Sequence, residues 1–166
     1  MKQDIIALQK KYSENCHVSV IGKSEDGRNI YDVKIGNTKA KKTMIVIATL
    51  HAREYMASLL CMKQMETYLL NWSGKVSEKK VSPILNKMCI HFVPMANPDG
   101  VTISQKGIRG IRSAALRKKL YRMSYGSTRT WKANARGVDL NRNFPYLFKH
   151  YGYANSEGYP GKKACS

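Results

Sequence analysis

Residues 43–70 read TMIVIATLHAREYMASLLCMKQMETYLL, and this stretch decides the fold class. Residues 43–49 form a continuous apolar run of strand length, the pattern of a buried central strand. From residue 54 to residue 70 the period changes. Met56, Leu59, Leu60, Met65, Tyr68 and Leu69 recur at helical spacing, and Asn71 with Gly74 stops the pattern. Strand, short loop and helix therefore follow in order, with His51 just beyond the strand's C-terminal end.

Working outward, residues 1–11 carry Ile5, Ile6 and Leu8 among Lys, Gln and Asp, which predicts a short amphipathic helix. Residues 17–22 and 29–36 are rich in Val, Ile and Tyr and flank the turn-forming Ser24, Glu25, Asp26 and Gly27, a hairpin signal. A basic turn at residues 39–42 leads into the apolar run. A second buried strand is expected at residues 88–95, ended by the turn chemistry of Asn97, Pro98, Asp99 and Gly100. Strands alternating with helices indicate an α/β sheet, with His51 and Asn97 past the carboxyl ends of neighbouring strands.

The 166 residues are 43% hydrophobic, ordinary for one folding unit. Lys and Arg number 29 against 11 Asp and Glu, a net charge of +18, which invites anionic partners. Much of that excess lies in residues 106–132, where Arg109, Arg112, Arg117, Lys118, Lys119, Arg122 and Arg129 are interleaved with Tyr121, Tyr125 and Trp131. A nucleic-acid surface is the less favoured reading, because no nucleic-acid fold motif accompanies the charges. No segment has the length and apolarity of a membrane span. No signal peptide is present, so the default compartment is the cytoplasm, although a removed leader would leave the same N-terminus. Cys16, Cys61, Cys89 and Cys165 are scattered without a CxxC pair and read as free buried thiols. Residues 151–166 show no capped helix or strand and resemble a chain ending inside a loop. Nothing in the sequence speaks to oligomeric state.

Two clusters carry candidate chemistry. His51 and Glu54 stand three positions apart at a strand-to-helix junction, where an imidazole and a carboxylate can converge on one metal ion, or where Glu54 simply complements a helix dipole. Residues 137–145, GVDLNRNFP, present dense polar groups from a short strand or extended loop. A planar Arg142 fork beside the Asn141 amide suits a carboxylate ligand; a self-satisfied turn is the plainer alternative.

Taken together, HARE after one apolar strand, NPDGV after the next, and WKANARGVDLNRNFP resemble the zinc carboxypeptidases of the M14 family in order and context. The likeness runs from GKSEDGR at residues 22–28, similar to that family's GxSxxGR opening, to YPG at residues 159–161. It implies a zinc-carboxypeptidase-like α/β/α sandwich, a mixed, largely parallel sheet flanked by helices, of which residues 1–166 are the N-terminal part of a single catalytic domain, incomplete at the C-terminus. By the same resemblance His51 and Glu54 are ligands of one zinc ion, Asp139 orients His51, and Asn141 with Arg142 holds the substrate's terminal carboxylate. Arg53 matches a substrate-contacting arginine.

Animal digestive members have an arginine that polarises the scissile carbonyl where Lys132 follows Trp131 here. The WKAN form looks more like bacterial members that cleave γ-D-glutamyl-diaminopimelate bonds in cell-wall peptides, so the resemblance implies a peptide substrate, with peptidoglycan as its candidate source. The family's third zinc ligand, a histidine, its general-base glutamate and its substrate-capping tyrosine fall beyond Ser166, and neither His91 nor His150 stands at the histidine's place. The implied chemistry is attack by zinc-activated water, with zinc and Lys132 stabilising the oxyanion. The expectation for these residues alone is an inactive segment of a hydrolase. The alternative is a non-catalytic fragment or a basic binding module for anionic polymers.

Overall fold

The computed structural model describes residues 1–124 and 127–144. Tyr125, Pro145, His150, the YPG motif, Cys165 and the loop-like ending at residues 151–166 lie outside the described residues. The chain divides into two compact units. One comprises Met1–Gly22, Asn29–Ala48 and Met56–Ala96; the other comprises Lys23–Arg28, Thr49–Tyr55 and Asn97–Ser166.

In the first unit, helix α1 (Lys2–Lys11) precedes strands β1 (Cys16–Lys23), β2 (Asn29–Gly36) and β3 (Lys42–Ile47). Helix α2 (Met56–Leu70), the small strands β4 (Lys75–Val76) and β5 (Lys79–Lys80), the short helix α3 (Ser82–Leu85) and strand β6 (Met88–Val93) follow. The main sheet has the order β1-β2-β6-β3, and β4 pairs with β5 in a separate ribbon. β3 runs parallel to β6, Ile47 opposite Val93, while β2 runs antiparallel to β6, Val33 opposite Phe92. The sheet is therefore mixed and flanked by helices, as the α/β reading requires.

Side chains alternate across a pleated sheet, so Val33, Ile35, Ile90 and Phe92 share one face. That face is buried in a core with Ile5 of α1 and Cys61, Met65 and Leu69 of α2. The opposite face pairs His91 Nδ1 with Asp32 Oδ2 at 3.0 Å. Cys16, Cys61 and Cys89 are buried free thiols, and burial pushes Cys16 and Cys61 up to about 11, so both stay protonated and unreactive near neutrality.

The sequence misled in two places here. β3 is not central. Among the described residues it is the last strand of the sheet, and Met44, Ile45 and Ile47 are 43%, 66% and 45% exposed. A run of apolar residues reports that both faces tolerate burial; what lies on them is decided by strand order, which the run does not contain. Likewise α2 begins two residues later than expected and buries only part of its apolar surface, for Met56, Leu59 and Leu60 face solvent.

The second unit is built on helix α4 (Pro98–Lys106), a 3-10 turn at Ile108–Gly110, helix α5 (Ala114–Met123) and a second 3-10 turn at Leu140–Arg142. Its core gathers Ile103 of α4, Ile111, Leu120 of α5, Trp131, Ala133 and Ala135 around Ala52. Asn97, Pro98, Asp99 and Gly100 do not merely end a strand; they begin α4. The Asn97 side chain accepts from the Gly100 amide at 2.9 Å, and Pro98 occupies the first turn, where its missing N–H costs nothing. No helix among the described residues is long and apolar enough to cross a membrane.

Candidate functional site

All the described candidate residues belong to the second unit. The segment Thr49–Tyr55 leaves the sheet and carries His51, Arg53 and Glu54. Thr49 adopts φ 55, a strained value for a β-branched residue, and turns the chain toward His51. The Ala52 amide then donates to the Lys132 carbonyl at 2.9 Å, tying this segment to the one that carries Lys132.

Asn97 makes the second tie. Its Nδ2 donates to the carbonyls of Leu50 at 3.0 Å and Ala133 at 3.1 Å, while its own amide donates to the Thr49 carbonyl at 3.1 Å. One buried side chain thus joins the residue before His51, the residue after Lys132 and the start of α4. Gly100 is required beneath it, because a Cβ there would stand 2.4 Å from Asn97 Nδ2 and 2.5 Å from the Ala133 carbonyl oxygen.

The His51 ring lies between two carboxylates. Nδ1 is 2.8 Å from Glu54 Oε1, and Nε2 is 3.2 Å from Asp139 Oδ1. Asp139 is itself held from several sides: Lys132 Nζ donates to Oδ2 at 2.8 Å and the Asn141 amide donates to Oδ1 at 2.9 Å. Burial pushes the Asp139 carboxyl upward, but the Lys132 and Asn141 hydrogen bonds and the charges of Lys132 and His51 outweigh it, and the net displacement is downward. Asp139 is therefore a carboxylate, placed to accept a hydrogen bond from His51 Nε2.

Of the short strand or extended loop expected at residues 137–145, the described part is a loop. Asn134 N and the Val138 carbonyl close a loop at 3.0 Å, Gly137 takes φ 79, and Asp139 caps the 3-10 turn at Leu140–Arg142. Local Asx hydrogen bonding outcompetes strand pairing here. The turn leaves Arg142 exposed, its Nη1 donating to the Asn141 carbonyl at 3.2 Å, and Arg53 is exposed as well. Asn143 Nδ2 donates to the Asp139 carbonyl at 2.6 Å, a contact that residue type alone did not single out.

Zinc takes imidazole nitrogen and carboxylate oxygen, so His51 Nδ1 and Glu54 Oε1 suit that ion in kind, and a carboxylate behind the ring is its usual support. Among the described residues no group of three His, Cys, Asp or Glu side chains is arranged to hold a metal.

The zinc carboxypeptidase model of the M14 peptidases matches residues 1–165. The chain belongs to this family. A γ-D-glutamyl-L-diamino acid endopeptidase 1 of Lysinibacillus sphaericus is 34% identical over 149 residues, covering 87% of this chain and 36% of that protein. Human carboxypeptidase A6 is 28% identical, covering 82% of this chain and 28% of its own length. Bovine thrombin-activatable fibrinolysis inhibitor, solved in complex with tick carboxypeptidase inhibitor, shares the fold with a TM-score of 0.60 at 20% identity, over 87% of this chain and 41% of that one. The chain spans about a third of the length of the curated relatives it matches first. Family and fold thus agree with the α/β expectation and with a hydrolase family that depends on zinc.

Proposed function

We propose that residues 1–166 are the N-terminal part of one M14 catalytic domain, and that they contribute half of a zinc site and much of the substrate-carboxylate site of a peptide hydrolase. The observation that carries this reading is the His51 ring held between Glu54 and Asp139. His51 Nδ1 and Glu54 would hold the ion, which when bound supplies Lewis acidity toward a peptide carbonyl and its attacking water. Asp139 keeps Nε2 as the protonated nitrogen and so leaves Nδ1 free to ligate. Lys132 holds a fixed positive charge beside this group, placed to favour negative charge developing on a substrate oxygen. Arg142, Asn141 and Arg53 supply exposed or half-exposed donors for a terminal carboxylate.

The substrate we propose is a peptide of the γ-D-glutamyl-diamino acid class. What supports this is the 34% identity to a γ-D-glutamyl-L-diamino acid endopeptidase together with Lys132 at the position after Trp131. A third zinc donor and a general base have no assigned residue here, so the 166-residue chain by itself is expected to bind zinc weakly and to show no turnover.

Isothermal titration of zinc into the purified chain, beside the His51→Ala and Glu54→Ala variants, tests the ligand assignment. Zinc binding that each substitution removes is the expected result. Equal zinc affinity in all three proteins overturns the assignment, and zinc-dependent cleavage of a γ-D-glutamyl-diaminopimelate peptide by the chain alone overturns the expectation of inactivity.

A further inference from the structure

Apart from Lys132, the mechanism leaves the basic segment of the second unit unused. Between Asp99 and Asp139 there is no Asp or Glu, while cations recur throughout. The remaining described carboxylates of that unit are occupied elsewhere. Glu25 pairs with Arg136, Asp26 and Asp99 share Arg28, and Glu54 and Asp139 flank His51. Arg112, Lys118, Lys119 and Arg122 are exposed and make no ion pair with any described carboxylate.

Helix α5 gives these charges a regular arrangement. Leu120 is fully buried and Leu116 packs against the same core, which fixes the helix's rotation and turns Lys118, Lys119 and Arg122 to solvent. Lys118 and Arg122 are one turn apart, about 6 Å along the axis. The helix is firmly mounted. Ser113 caps its N-terminus, Asp26 accepts from the Arg112 and Ser113 amides at 2.8 and 2.9 Å, and Ala52, the neighbour of His51, lies in the core that holds Leu120. Concentrated like charge with no ion-pair partner among the described residues costs folding free energy, and a polyanion laid along the helix relieves it while releasing its own counterions.

We propose that the solvent face of α5 is a docking surface for a linear polyol-phosphate polymer, whose repeating phosphodiesters meet Lys118, Lys119 and Arg122 in turn. The choice of polymer rests on the cell-wall substrate reading above; the surface itself rests on α5. A fixed row of cations reads backbone charge, and Tyr121, 69% exposed, is the one large aromatic ring that α5 offers to solvent. Nucleic-acid surfaces that grip single strands need successive stacking platforms, so the phosphodiester chain without bases is the better fit.

The test is fluorescence anisotropy with the intact 166-residue chain and three labelled probes: poly(glycerol phosphate), oligodeoxythymidylate and poly-glutamate, from 50 to 300 mM salt. Two variants of equal charge change are compared, K118E/K119E/R122E on α5 and K39E/K41E/K42E where the turn enters β3, each checked for an unchanged circular dichroism spectrum. The expected result is tightest binding to poly(glycerol phosphate), weakened at least tenfold at 50 mM salt by the α5 variant alone. The slope of log affinity against log salt should flatten by about 2, three lost contacts at roughly 0.7 each. No binding of that polymer at 50 mM salt, equal loss in both variants, or tighter binding of either other probe overturns the proposal. None of these readouts needs zinc or turnover, so the outcome is separate from the fate of the peptidase reading.

Discussion

Lys132 Nζ donates to Asp139 Oδ2 at 2.8 Å, on the carboxylate whose other oxygen faces the His51 ring. Lys132 is thus part of the support of the candidate metal ligand as well as a charge near it. Lys132 is partly exposed and Asp139 is buried, so its removal strands a buried anion while water reaches part of the gap. Lys132→Ala is expected to lower stability by about 1–2 kcal/mol, below the 3–5 of a wholly buried pair. Urea denaturation measures it, and an unchanged midpoint would show that Lys132 contributes nothing to holding Asp139.

Asp139→Asn preserves shape but removes the charge that fixes the His51 tautomer. Zinc affinity should fall about 10- to 100-fold, the usual effect of losing a carboxylate behind a ligating imidazole. Competition against a chelating dye reads this directly, and parallel melting curves separate it from unfolding. An affinity within twofold of the parent would mean that Asp139 does not act through His51.

Asn97 joins three segments through hydrogen bonds that no other residue type of its volume can reproduce. Asn97→Ala should cost about 2–4 kcal/mol, combining a lost helix cap with two stranded carbonyls. Gly100→Ala reaches the same junction by overpacking, at about 1–3 kcal/mol. Thermal unfolding of both variants provides the comparison. A melting temperature unchanged in either would remove the junction from the account.

Asp26 has a side chain only 1% exposed and accepts from two amides and from Arg28. Burial pushes its carboxyl upward, but those hydrogen bonds and the Arg28 charge prevail and lower it. A carboxyl lowered in the folded state contributes stability in full above its unfolded value of about 3.9, and loses it as pH falls through the lower folded value. Chemical denaturation from pH 7 to pH 3 should therefore show a loss of stability with acid that is shallower in Asp26→Asn, which starts lower by about 3 kcal/mol. Equal slopes for the two proteins would show that Asp26 does not drive the acid response.

Local patterns made most of the elements legible. The strand-to-helix switch at residues 43–70, the hairpin residues and the two short motifs each depend on spacing along the chain, and spacing is what a sequence records. HARE and residues 137–142 could be read as partners only through the family resemblance, since nothing in either segment points to the other across 88 positions. The start of α4 was legible too, because an Asn before a Pro is a helix-start signal as much as a turn, and the turn reading overlooked it.

What the sequence by itself determined is therefore the periodic structure, the family and the identity of the charged groups. Tertiary structure decided which carboxylate faces which nitrogen of His51, that Lys132 is bound to Asp139, and that Asn97 carries the junction between them. It also decided that β3 lies at the edge of the sheet. The reason is common to all four. Each depends on which donors and acceptors packing brings within about 3 Å of one another, and spacing along the chain does not fix that.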